Sequence, residues 1–451
     1  MAKKKKKRHL FGKKEFLFNI FSLIALILIG LYFGGRSFYY YSKQNMAKKV
    51  EAQTLNGLIL QSNQTVTEGD GLHQDTDGYY FKGNVINNYV LFSNRLFRVI
   101  QINNDNSVKM ASQDIVSTFI WGENESYHES NIYHWLEKTD NENSGIYYDT
   151  LPNPEKFLVK TVYSEDTINN EEIKASKKEY KDYITILGIH DYVLSNGKSG
   201  YLNNGKMYYL LGNDSENQKI YVEEDGSIQS CDSLDGYGIR PVITLKSNLP
   251  ITGGDGTQNN PYVIDQGDTK NYIGSYVQLG NDIWRVYSQK DNILKLQLND
   301  YIKIDTNPIM YHYSDYNSIF DLTDKKSLAT YLNTAYLASL PYANVLLDIN
   351  HNIGEISDDA GYNYFNIYKK QVSSKIGLLN IFDYHINYDL EEYYHINTTS
   401  EIGSMAYITS KNGLLKEADV KEEKPIVPVI SIDLNILKSG SGSLESPYIM
   451  G

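Results

Sequence analysis

The sequence predicts an α+β fold dominated by antiparallel sheet: two tandem copies of one domain, each with one or two helices, behind a single transmembrane helix and a stalk. Three observations lead there. An uncharged apolar run lies near the start. Blocks of apolar strand pattern recur in the same order about 187 residues apart. Both halves also close alike, on an apolar strand with one proline, a Gly-rich turn and a Pro-Tyr-apolar strand. The predicted boundaries are a basic tail at 1–15, the span at 16–35, the stalk at 36–69, and domains at 70–265 and 266–451.

The apolar run, Phe16 to Phe33, carries no charge and holds thirteen Leu, Ile or Phe side chains. Eighteen residues at about 1.5 Å each reach about 27 Å, close to the thickness of a bilayer core. The apolar side chains contribute on the order of −4 to −8 kcal/mol to insertion, more than Asn19 and Ser22 offset. Lys3 to Lys14 precede the run and only Arg36 closely follows it, so the tail is predicted to be cytoplasmic and the body extracellular. Phe38 to Tyr41 suit the outer interface. A cleaved signal peptide is the rival reading. Its small residues, Val50 and Ala52, lie far beyond the apolar run, so an uncleaved anchor is predicted. Residues 43–69 are polar and without sustained period, as in a stalk, with a short helix near Met46 to Leu60.

Composition removes some function classes. Residues 1–50 carry twelve Lys or Arg and one acid, Glu15, which leaves −23 of the overall −12 on the remaining 401 residues. Phosphate backbones repel a body so acidic, which excludes nucleic-acid binding. The one cysteine, Cys231, excludes an intramolecular disulfide framework and a Cys-based zinc site. Forty tyrosines, with many Asn, Ile and Lys, fit a low-GC bacterial coding sequence.

The repeat is legible block by block. Tyr89 to Val99 corresponds to Tyr276 to Val286, each a pair of apolar strands around a short polar turn. Ser130 caps a helix whose Ile132, Trp135 and Leu136 share a face, and Leu328, Tyr331 and Leu332 hold the same spacing 196 residues later. Ile186 to Tyr192 pairs with Ile376 to Tyr384. Ile220 to Val222 with Asp225-Gly226 matches Tyr407 to Thr409 with Asn412-Gly413, both read as two-residue hairpin turns. The strands at Pro241 and Pro428 and the closing turns complete the set. Offsets that drift and return are what loop insertions in a duplicated domain produce.

The run from the aromatic-Arg-Val strand, through Trp121 and Trp135-Leu136, to Ile239-Arg240-Pro241-Val242 resembles an uncharacterised domain family. Such domains occur in tandem in surface proteins of Gram-positive bacteria. The closing strand is also similar to the end of formylglycine-generating-enzyme-like and C-type-lectin-like domains. The resemblance implies twisted antiparallel sheets with long loops and brings no catalytic residues. The oxidase chemistry of the formylglycine-generating enzymes uses cysteines, and only Cys231 is present. In the second copy Arg240 becomes Val427 and Trp121 has no clear counterpart, so a site built on them belongs to the first copy.

Trp121, Tyr133, Tyr208, Tyr209 and Arg240 are the residues predicted to bind a ligand, as an aromatic platform for sugars or peptides. Core packing is the competing expectation for the aromatics, Tyr127 among them. Arg98 and Arg285 are expected to pair with carboxylates. Asp70, Asp75 and Asp77, with Gly71 and Gly78, offer oxygens to calcium but lack the twelve-residue loop pattern. His128 and His134, spaced by six, fall on different helical faces and are expected to be surface residues rather than a zinc pair. Gly253 to Thr257 is expected to be a turn, because no helix follows it to hold phosphate. No cofactor is predicted. The function expected is a membrane-anchored extracellular binding or envelope-structure protein. Its partners are expected to be the membrane and either cell-wall glycan or another surface protein. The alternatives are an envelope-polymer hydrolase with its site in the first copy, and a ligand sensor acting through a membrane partner.

Overall fold

A computed structural model describes Tyr32 and residues 53–451, apart from 124–125, 142–143, 170–171, 268–270, 317–318, 357–362, 365–366, 382, 384–392, 401–404 and 410–414. The predicted tail, the span apart from Tyr32, and residues 36–52 of the stalk lie outside the described residues. Among the described residues no helix is long and apolar enough to cross a membrane.

The fold is β-dominated. In the first half a major sheet runs in the order Ile184–Ile186, Pro241–Leu245, Val108–Ser112, Arg95–Asn103, Tyr89–Phe92, Tyr262–Ile264, Ile251–Gly253. In the second half the order is Ile376–Gly377, Val429–Asp433, Ile293–Leu298, Asp282–Lys290, Tyr276–Leu279, Tyr448–Met450, Leu437–Ser439. In each, one step is parallel: Tyr262 lies opposite Val90, and Tyr448 opposite Val277. Each long central strand also carries a bulge at the matching place, between Val99 and Gln101 and between Val286 and Ser288. A bulge needs a specific extra residue in one strand, so its recurrence is a detailed likeness.

Each half adds a minor sheet. The first runs Glu172–Lys174, Asp166–Asn169, Tyr208–Asp214, Lys219–Val222, Ile228–Cys231, and the second Ile367–Ser374, Ile349–Ile356, Tyr394–Ser400, Met405–Thr409, Leu415–Asp419. The second step is again parallel in both, with Gly212 opposite Asp166 and Gly354 opposite Thr398.

The local signals act as their chemistry dictates. Ser130 Oγ accepts the Tyr133 N–H at 3.1 Å and starts Asn131–Leu136, whose Ile132, Trp135 and Leu136 are fully buried. Ser327 Oγ accepts the Thr330 N–H at 3.1 Å and starts Leu328–Tyr331, which continues through a π-helical turn, Leu332–Tyr336. The two caps are 197 residues apart, so Trp135 matches Leu332. The Gly-rich turns are set by close approach: a Cβ on Gly254 would sit 1.9 Å from the Pro261 carbonyl oxygen, and one on Gly440 2.1 Å from that of Pro447. Both have positive φ, +100° and +105°.

Two expectations need correction here. Asp225-Gly226 is not a two-residue turn. Glu223 N–H donates to Ser227 O at 2.8 Å, and only Gly226 has positive φ, so the loop has three residues and ends on a left-handed glycine. Part of the predicted stalk also belongs to the first domain. Thr54 bridges Pro250, Leu55 N–H donates to Leu249 O at 2.9 Å, and the helix Leu55–Ser62 buries Leu55 and Ile59 against the core. Apolar spacing too short to span a membrane found a sheet edge to cover.

Candidate functional site

The five residues predicted to bind a ligand are core residues in this structure. Trp121, Tyr208, Tyr209 and Arg240 are 0% exposed and Tyr133 is 9% exposed, whereas a platform must present a ring face to solvent. Tyr208 and Tyr209 are neighbours on one strand, so they point to opposite faces of the minor sheet. Tyr209 meets Trp121 edge-on at 5.5 Å, and Trp121 leads through Tyr127 at 5.8 Å to Tyr133 at 5.4 Å. Tyr208 instead lies under the Arg240 guanidinium at 4.6 Å.

The expected carboxylate partner of Arg98 is replaced by neutral oxygens and rings. Arg98 Nε donates to Asn88 Oδ1 at 2.6 Å, its Nη groups donate to Val85 O at 2.6 Å and Tyr89 OH at 2.9 Å, and Tyr89 and Tyr201 flank it at 3.9 and 4.7 Å. Burial lowers its pKa to about 10, Tyr89 and Tyr201 work against that shift, and Arg240 nearby adds to it. Arg240 Nε donates to Ser112 O at 2.9 Å and Nη1 to Leu202 O. These two guanidiniums tie loops to the major sheet. Arg285 sits over Tyr276 at 5.3 Å in the matching place.

His128 and His134 do not converge. His128 Nε2 lies 3.2 Å from Asp182 Oδ2, which also accepts the Tyr163 hydroxyl at 2.6 Å, while Tyr133 donates to Oδ1 at 3.3 Å. Tyr180 and Tyr133 rings crowd the imidazole at 4.2 and 4.5 Å. Burial pushes the Asp182 carboxyl upward, but bonds from His128 and Tyr163 outweigh it and hold the carboxyl below its ordinary value. The Tyr163 hydroxyl is pushed far above the ordinary phenol range by burial and neighbouring Tyr127, which is the wrong direction for a nucleophile. Asp75 Oδ1 accepts the N–H groups of Asp77 and Gly78 at 2.8 and 3.1 Å and so shapes a turn. Among the described residues no cluster of three His, Cys, Asp or Glu side chains is arranged to hold a metal ion.

An open groove of about 840 Å³ lies on the first minor sheet, within the size range of ligand sites. It is built from residues distant in sequence. Ile168, Ile220 and Ile228 come from three strands, and Tyr192, Val193 and Lys198 from the helix Ile189–Leu194 and the turn after it. Asn169, Ser215, Ser227, Gln229 and Ser230 complete the lining. Ile220 pairs with Ser230 and Val222 with Ile228, so these side chains share one face. The charged groups at the groove already have partners. Lys198 Nζ lies 2.5 Å from Asp225, and its bond together with those of Ser227 holds that carboxyl below its ordinary value. Asp214 Oδ1 accepts the N–H groups of Glu216 and Gln218 at 2.8 and 2.9 Å. Asn169, Ser215 and Ser230 make no side-chain hydrogen bond among the described residues. The arrangement offers an apolar floor, neutral donors and acceptors, and charged side chains that already have partners.

At the matching strand of the second half a ring pair takes the place of Ile220. Tyr407, 187 residues after Ile220, packs edge-on against Tyr364 at 6.0 Å, and Tyr364 N–H donates to Asn131 Oδ1 of the first half at 2.7 Å. A smaller cleft of about 290 Å³ holds the Lys109–Asp191 pair at 2.7 Å. Its counterparts Lys295 and Asp383 also interact, and there burial raises the carboxyl pKa while Lys295 opposes the rise. That recurrence marks the pair as part of the fold. None of the small polar groove residues carries a sequence signal, because hairpin turns are rich in Ser and Asn whether or not they bind anything.

No family model, curated protein or solved structure matches the chain.

Proposed function

We propose that the chain is a membrane-anchored extracellular binding protein made of two copies of one β-rich domain. The first copy binds and the second serves as its scaffold. The observation that carries this reading is the open groove on the first minor sheet, with the side chains of Asn169, Ser215 and Ser230 uncommitted, whereas Tyr364 packs on Tyr407 at the place matching Ile220 in the second half. Duplication is supported by the repeated strand order, the repeated parallel steps and the bulges at Val99–Gln101 and Val286–Ser288. Anchoring is supported by the uncharged run Phe16 to Phe33 behind a basic tail. The partner proposed is a component of the cell envelope, either glycan or a surface protein.

Protease treatment of intact cells is expected to remove the body and leave the N-terminal tail cell-associated. A protected body sinks the extracellular placement. The full chain in lipid nanodiscs is expected to bind peptidoglycan fragments or envelope-derived peptides, and substitution of the groove-lining, exposed Val193→Asp is expected to abolish that binding while circular dichroism is unchanged.

A further inference from the structure

We propose that the groove takes an extended, uncharged polypeptide segment, which adds as a strand to the free edge at Ile228–Cys231. This rests on the binding reading above and names its ligand class. Ile228–Cys231 is the last strand of the first minor sheet and, among the described residues, pairs only with Lys219–Val222. Antiparallel pairs alternate between bonded and non-bonded positions. Glu223 N–H donates to Ser227 O at 2.8 Å, so the next bonded pairs are Tyr221 with Gln229 and Lys219 with Cys231. The N–H and C=O groups of Ile228 and Ser230 therefore face away from the sheet. An unpaired edge of this kind is a template for another strand.

Two further features point the same way. The groove is continuous with that edge, because Ile228 and Ser230 line it. An added strand presents alternate side chains to one face, which places every second residue of the ligand beside Ile228 on the groove side. The edge also lacks the charges that usually block pairing. It reads Ile-Gln-Ser-Cys, whereas the corresponding edge of the second half, Leu415–Asp419, reads Leu-Lys-Glu-Ala-Asp. Because Lys198 and Asp214 are already engaged, the groove favours a ligand stretch without charge.

The test uses the full chain in nanodiscs, probed with a phage-displayed random nonapeptide library and, separately, with peptidoglycan and chitin oligosaccharides. Ser230→Pro removes the outward N–H and leaves the inward bonds intact, since proline is tolerated on edge strands. Ser230→Ala removes only the hydroxyl. Strand addition predicts selected peptides of alternating apolar pattern, weakened about ten-fold or more by Ser230→Pro and within about two-fold of the parent for Ser230→Ala. Hydrogen exchange on the unmodified chain gives a readout that does not depend on either variant folding: the amides of Ile228 and Ser230 become protected by the peptide. Peptides that bind without protecting those amides overturn strand addition. So do oligosaccharides that bind in place of peptides, with Ser230→Ala abolishing the effect; both results leave the binding reading standing. If neither probe class binds, both fail.

Discussion

Glu137 shows how burial sets the charge of one group. It is 4% exposed, and its Oε2 accepts the Ile184 N–H at 2.8 Å. Burial raises its pKa from 4.5 to about 7, Asp182 adds to the rise, and the Ile184 bond opposes it. Between those values the folded chain holds a proton that the unfolded chain has released. This group's contribution to stability is therefore complete below pH 4.5 and is lost as pH rises through 7, by at most about 3 kcal/mol. His134, His351 and His395 act in the opposite sense. Burial holds each at about 4, so stability falls as pH drops from 6.5. Glu137→Gln keeps an oxygen for the Ile184 N–H and removes only the first trend. Relative to the parent, its denaturant-unfolding free energy is expected to rise by about 2 kcal/mol between pH 5 and pH 7.5. A difference that does not change with pH contradicts the assignment.

At the scale of the element, the caps and closing turns carry the local instructions. Ser130→Ala and Ser327→Ala each remove one side-chain acceptor from a helix start, and each is expected to cost about 1 kcal/mol in chemical denaturation. Gly254→Ala and Gly440→Ala place a methyl group on a backbone carbonyl at positive φ, and each is expected to lower stability by more than about 3 kcal/mol or prevent folding. Gly253→Ala, with nothing within 4 Å of the added carbon, is the control and is expected to be near neutral. These elements are legible in sequence because their chemistry closes within a few residues. The groove is not. Ile168, Ile220 and Val193 meet only because Asp166–Asn169 runs parallel to Tyr208–Asp214 after a long excursion, and local pattern carries no record of such a pairing. The buried fate of Trp121, Tyr208 and Arg240 is hidden for a related reason. An aromatic or arginine side chain suits a core and a binding face equally well until its strand neighbours are known.

At the scale of the molecule, matching strand order makes the halves look alike, but the packing joins them. Tyr364 bridges Tyr407 and Asn131, Asn271 Nδ2 donates to Ser93 Oγ at 2.6 Å, and Tyr287, Leu379 and Ile381 belong to the apolar cluster of the first half. Opening one half exposes apolar surface on the other, so the two are expected to unfold together. The three tryptophans report on this directly. Trp121 and Trp135 lie in the first half and Trp284 in the second, all fully buried. A Trp284→Phe chain emits from the first half alone, and a Trp121→Phe/Trp135→Phe chain from the second alone. In the otherwise unaltered protein, denaturant midpoints from far-ultraviolet dichroism and from tryptophan emission are expected to coincide within each of these chains, because dichroism reports both halves. Adding Tyr364→Ala removes a second-half ring from the first half's apolar cluster, keeps the backbone bond to Asn131, and is expected to split the transition, so that dichroism spans two steps while emission from either chain follows only one. Separate midpoints before that substitution rule out the shared core. A single step after it means the Tyr364 N–H to Asn131 bond, the Asn271–Ser93 contact and the remaining apolar cluster suffice to hold the halves together.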